Sequence, residues 1–117
     1  MSSDDLARRA AMRLGSELDR NLPAVVEAHI QGGSEAPKRY EAATTTIALA
    51  TLILSAAKFA WDIYRDLKKS SKAAPAPGVI ARRMRLELNV AEEIDIARRD
   101  KIITVVVDEL MKHPPEA

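Results

Sequence analysis

Few side chains in this sequence are equipped for chemistry, and those few do not assemble into a reactive pattern. The two histidines, His29 and His113, stand far apart, and neither has a carboxylate at metal-ligand spacing. Both read as solvated or packed imidazoles. Glu92, Glu93 and Asp95 cluster as a general acid–base pair would, but acids just ahead of a helix also serve as its cap, and the cap is the preferred reading. Asp108 and Glu109 fall late in a helical pattern, where the dipole disfavours acids; they read as solvated. Gly32-Gly33 lacks the further glycine, the Lys and the Ser or Thr of a phosphate loop, and no Ser/His/Asp order accompanies an elbow motif. With no Cys in the chain, disulfides, thiolate metal sites, Fe–S clusters and cysteine nucleophiles are excluded. The sequence therefore predicts no enzyme, no cofactor and no metal site.

The elements around these residues must then exist for something other than catalysis. A chain of 117 residues favours one domain, and 47% hydrophobic with 30% charged residues is enough to build a core. Aromatics make up only 3%, so that core must be aliphatic, which suits close helix packing better than a β-sandwich. A net charge of +1 offers no global field for nucleic acid or an anionic membrane. The start, MSSDDLARRAAM, is charged and has no apolar signal region, which favours a cytoplasmic protein; inner-membrane association is the alternative.

The longest apolar run, residues 42–64, organises the rest. Trp61 and Tyr64 close it, and Arg65, Lys68, Lys69 and Lys72 follow. It sits inside a pattern that stays helical from Lys38 to Lys69, a rod of roughly 45 Å, against roughly 35 Å for a compact domain of this size. The pattern thus predicts a helix that projects, packs along a partner or crosses a membrane. Thr44, Thr51, Ser55, Lys58, Asp62, Arg65 and Lys69 recur every three, four or seven residues as a narrow polar stripe. Lys58 and Asp62, four apart, can pair on it, although Lys ahead of the acid is the poorer order. As a membrane span, the helix would use Trp61 and Tyr64 as an interfacial belt, with the basic tail as a cytoplasmic flank. Against that, the uncharged part, 42–57, is shorter than the ~20 residues a span needs. The preferred reading is a buried central helix with a solvent-facing seam.

Before this helix, Ser2 and Ser3 ahead of Asp4 and Asp5 predict a helix start. The spacing of Leu6, Ala10, Leu14, Leu18 and Leu22 predicts a helix over 4–22. Pro23 interrupts it, and a second helix follows over 23–31, ended by Gly32 and Gly33. After the central helix, residues 70–78, with two prolines and a glycine, read as a linker between an N-terminal helical part, 1–69, and a C-terminal part, 79–117. In Arg82–Val90, Met84, Leu86, Leu88 and Val90 alternate with polar residues, the period of a half-buried strand. Asp95 is placed to cap a last helix over Ile96–Lys112, although Ile102–Val107 is also strand-prone. His113-Pro114-Pro115 stops that helix, leaving a frayed tail.

Arg82, Arg83 and Arg85, on a strand followed by a helix, resemble the ribbon-helix-helix DNA-binding proteins, which read the major groove with two paired strands. That resemblance implies a dimeric regulator. The chain departs from it in leaving room for one helix after the strand, where that family has two, and in crowding Glu92, Glu93 and Asp95 at the same end.

The fold expected is mainly α: a small helical bundle around one long central helix, with a single short strand or hairpin in a C-terminal α+β extension. The function expected is a non-enzymatic accessory or adaptor module. It would act through protein–protein association and self-assembly, because a lone strand needs a partner edge and the long helix needs cover. Ile47, Leu52, Leu54, Lys58, Trp61, Asp62, Met84, Leu86 and Leu88 are the candidate interaction residues. A homo-oligomer or another protein is the expected partner. A membrane-associated or membrane-inserting protein using residues 42–64 is the first alternative, and a DNA-binding regulator using residues 82–90 the second.

Overall fold

The fold begins with a reciprocal cap: Ser2 N–H donates to the Asp5 carboxylate (3.2 Å), while Asp5 N–H donates to Ser2 Oγ (3.3 Å). A computed structural model describes residues 2–32, 44–71 and 73–115. Among the described residues the protein is mainly helical, with five helices and no strand. These are α1 (Ser3–Gly15), α2 (Leu22–Gly32), α3 (Thr44–Ser71), α4 (Pro77–Glu87) and α5 (Ile96–Lys112).

Helix α1 buries Leu6, Ala7, Ala10, Ala11 and Leu14, a stripe mostly of alanines that lets α2, α3 and α5 approach its backbone closely. It ends sooner than residue 22, where the sequence pattern places its end. The Cα of Gly15 lies against the ring of Pro23, so close that a Cβ there would stand 2.9 Å from Pro23 Cδ. The chain folds back at that contact. Asp19 organises the turn: one carboxylate oxygen accepts from Asn21 N–H (2.9 Å), and the other accepts from the buried hydroxyl of Thr46 on α3.

The central helix α3 packs against each of the other four. Its buried face runs from Thr46 through Leu49, Ile53, Ala57 and Ala60 to Tyr64. At 28 residues it is about 42 Å long, and the molecule is prolate, 45 × 27 × 22 Å, with a radius of gyration of 13.9 Å. The described molecule is thus as long as the helix, and α3 does not project beyond it; packing along a partner and crossing a membrane, the other two expectations, are not decided by this shape. The beginning of the expected central helix, residues 38–43, lies outside the described residues.

The expected strand is also corrected, because residues 82–87 belong to α4. Pro77 occupies the first helical turn, where its missing N–H costs nothing. Ile80 and Met84, four apart, are both fully buried, whereas Leu86 is 75% exposed. The alternation of Met84 and Leu86 thus splits between core and solvent. A helix satisfies its own backbone groups, whereas a single strand in this chain would have left its edges unpaired. Residues 82–87 are, moreover, all good helix formers.

The connection expected over 70–78 is shorter, since α3 continues through Ser71 and Pro77 already lies in α4. Asp95 caps α5, accepting from Arg98 N–H at 2.8 Å. Ile102–Val107 is helical, and Ile102, Ile103, Val106 and Leu110 are fully buried. One core cluster joins side chains of all five helices. Beyond α5, Pro115 is buried, so the chain is anchored at a point where the sequence suggests fraying.

Candidate interaction surface

The outward face of α3 is the stripe seen in the sequence. Thr44, Thr51, Ser55, Lys58, Asp62, Arg65 and Lys69 are all exposed. Ile47, Leu54 and Trp61, seven residues apart, run along one edge of it and are half-buried. Thr51 turns its hydroxyl back to the carbonyl of Ile47 (2.9 Å), leaving the charged side chains as the projecting groups.

Beside this edge lies a groove of about 690 Å³, lined by Lys58, Trp61, Asp62 and Arg65 of α3. Ser2 and Ser3 at the start of α1, and Pro114 and Pro115 after α5, form its other walls. The capping box of Ser2 and the burial of Pro115 fix those walls. Lys58 and Asp62 do not pair with each other. Among the described residues, neither they nor Arg65 form an ion pair.

This distinguishes α3 from its neighbours, whose charges are largely tied up. Arg8 forks onto Glu27 (2.8 and 3.1 Å) and reaches Asp5 (2.8 Å), joining α1 to α2. The Glu27 pair, reinforced by Asp5, raises the guanidinium pKa above its ordinary value. Arg8, followed by the Gln31 amide, holds the Glu27 carboxyl below the usual carboxylate range. Arg13 bonds Glu109 (2.8 Å) and Asp108 (2.6 Å), joining α1 to α5. Lys112 supports the same two acids at 3.3 and 3.6 Å. Arg13, then Lys112, lowers the Asp108 pKa. The late acids of α5, which the sequence suggests are merely solvated, are thus the partners of an arginine on another helix. Lys101 reaches Glu17 (2.8 Å), and Arg85 reaches Asp100 (3.7 Å).

The nine candidate interaction residues separate into three groups. Leu52 and Met84 belong to the core, at 4% and 0% exposure. Lys58, Trp61 and Asp62 converge on the groove, with Ile47 and Leu54 continuing its edge. Leu86 projects from α4 away from the core and Leu88 is half-buried at its C-cap, so the α4 residues offer no strand edge to pair. Arg83 pairs along α4 with Glu87 (3.3 Å), and the ribbon that DNA readout would need has no strand here. Arg65 is visible in the sequence as part of the polar stripe, but Ser2, Ser3, Pro114 and Pro115 are not, because only the tertiary fold brings both ends of the chain to the middle of α3.

A second, shallower groove of about 320 Å³ lies between α4 and α5, lined by Pro77, Gly78, Ala81, Thr104, Val107 and Met111 along with Asp108. Among the described residues, no three His, Asp or Glu side chains are grouped so as to hold a metal ion. His29 carries a buried Nε2 without a hydrogen-bond partner among the described residues. By length and composition α3 could cross a membrane, yet half of its most apolar window is buried against other helices. The chain matches no protein-family model, no curated protein and no solved structure.

Proposed function

We propose that the protein is a non-enzymatic helical accessory or adaptor module that works by association, docking through the outward face of α3 and assembling with copies of itself. One observation supports this most. Lys58, Asp62 and Arg65 project without ion-pair partners among the described residues, next to a half-buried Trp61 in a groove, while Arg8, Arg13 and Lys101 are each engaged by an acid on another segment. Tryptophan and arginine are the residue types that most often anchor protein interfaces. The test is light scattering on the detergent-free protein after size exclusion. A dimer or larger species at micromolar concentration is expected. A monodisperse monomer at every concentration overturns self-assembly.

A second reading is favoured by α3 being long and apolar enough, by length and composition alone, to cross a membrane. Here α3 leaves its four neighbours and enters a bilayer, and the protein belongs at the inner membrane rather than in the cytoplasm. Co-flotation of the wild-type protein with lipid vesicles would support it. A wild-type protein that stays at the bottom of the gradient overturns it.

A further inference from the structure

The charged stripe of α3 has a symmetry that the fold leaves open to solvent. Thr51, Ser55, Lys58, Asp62, Arg65 and Lys69 are spaced by four, three, four, three and four residues, and all six are exposed. The series reads the same in both directions about the level of Ala60. Lys58 stands two residues before that level and Asp62 two after it, about 3 Å to either side along the helix axis. Opposite charges therefore occupy the two positions that a two-fold axis at Ala60, perpendicular to the helix, would superpose.

We propose that the groove face of α3 is an isologous interface whose partner is a second copy of this chain, with the two α3 helices antiparallel. This deepens the association reading and rests on it. In a two-fold contact, residue i meets residue j and j meets i. Lys58 of each copy then faces Asp62 of the other, forming two equivalent ion pairs across the interface. Arg65 meets Ser55, and Lys69 meets Thr51, so no like charges are opposed along the stripe. In the same operation the Trp61 edges of the two helices fall on the same side. The two indole rings meet there, and the walls formed by Ser2, Ser3, Pro114 and Pro115 close around them from each copy.

A parallel arrangement lacks this complementarity. It sets Lys58 against Lys58 and Asp62 against Asp62, a like-charge juxtaposition that opposes binding. The absence of a Lys58–Asp62 pair within the helix fits the same picture. In the order Lys then Asp, the intrahelical geometry is poor, and both side chains stay available for a partner.

The contact makes a reciprocal prediction that sedimentation velocity on the full chain can read. Wild type is expected to dimerise with rising concentration. Lys58→Glu alone sets a second carboxylate against Asp62 of the other copy, and Asp62→Lys alone sets a second ammonium against Lys58. Each is expected to weaken dimerisation by about tenfold or more. An equimolar mixture of the two variants pairs the introduced carboxylate with the introduced ammonium and leaves the native Lys58 and Asp62 to pair with each other. That mixture is expected to sediment as a dimer where neither variant does alone. Because both positions are exposed, circular dichroism should show all three proteins equally folded. A wild-type protein that remains a monomer overturns this proposal together with self-assembly. A wild-type dimer indifferent to both substitutions, or a mixture that fails to rescue, leaves self-assembly standing and overturns the antiparallel α3 contact.

Discussion

Arg13 on α1 places one guanidinium nitrogen 2.8 Å from the carboxylate of Glu109 on α5, whose side chain is only 8% exposed. Arg13 itself is 41% exposed, so the pair is a buried acid held by an arginine at the surface. Without Arg13 the buried acid would keep only the longer contact to Lys112, at 3.6 Å. Arg13→Ala should therefore destabilise the protein by about 1–3 kcal/mol, the cost of leaving a buried polar group under-satisfied. Arg13→Met combined with Glu109→Leu should recover most of that loss. Urea titrations of the single and double variants check both statements, and an additive double variant would contradict the pairing.

The helix at 77–87 can be tested with two alanines. Met84→Ala removes a fully buried side chain and should cost about 2–5 kcal/mol. Leu86→Ala removes a largely exposed one and should stay within about 0.5 kcal/mol of wild type. A half-buried strand would place both on one face and make the two costs similar, so their ratio discriminates directly between helix and strand.

Two glycines should respond in opposite ways to alanine. At Gly15 the added Cβ would lie 2.9 Å from Pro23 Cδ, and one of the two helices would have to shift, at about 1–3 kcal/mol. At Gly78 a Cβ meets nothing within 4 Å, and Gly78→Ala should stabilise α4 by about 0.4–1 kcal/mol by restricting the unfolded chain. Thermal melts of the two single variants measure both signs.

Acid should weaken the fold through a few identified carboxylates. Asp5 is held below its ordinary pKa by the Ser2 N–H and then by Arg8, and Asp95 by the Arg98 N–H. Glu27 and Asp108 are lowered by arginines on other segments, Arg8 and Arg13. A lowered folded pKa means that folding favours the ionised form. The stability these groups contribute is fully present above their ordinary values of about 4 and is lost as the pH falls through the folded ones. The melting temperature should thus decline below about pH 4, and more shallowly in high salt because these groups are solvent-accessible. An unchanged melting temperature at pH 3 would remove these pairs from the stability of the fold.

At Leu52, 4% exposed, aspartate should unfold the detergent-free protein. The cause is an unpaired carboxylate in an apolar interior, which costs several kcal/mol. A Leu52→Asp protein that remained folded, by circular dichroism, would contradict the packing of α3 against its neighbours.

The sequence carries the helical class plainly. A scarcity of aromatics, an unbroken 3.6-residue period through α3 and the capping residues Ser2 and Asp95 are local signals, and the structure uses each of them. The polar stripe is legible for the same reason, since helical spacing alone decides which side chains share a face. The departures come from residues whose fate is decided at a distance. Met84, Leu86, Leu88 and Val90 alternate as a strand does, and only the burial of Ile80 beside Met84 against the rest of the core reveals a helix. Leu18 and Leu22 continue the period of α1, and only the seating of Gly15 on Pro23 ends that helix early. Glu109 looks like a solvated acid until α1 brings Arg13 to it. The groove joins the two ends of the chain across the middle of α3, a proximity that no local pattern encodes.

Trp61 is the chain's single tryptophan, and it lines that groove. The molecule thus carries its own optical gauge at the surface where association is proposed. Indole emission responds to the wetness of its surroundings, so a partner that covers the groove shifts the emission to the blue with no label attached. Tyr64, one turn further along the same helix, is by contrast buried in the core. Coverage of the groove can therefore be followed in solution on the unaltered chain.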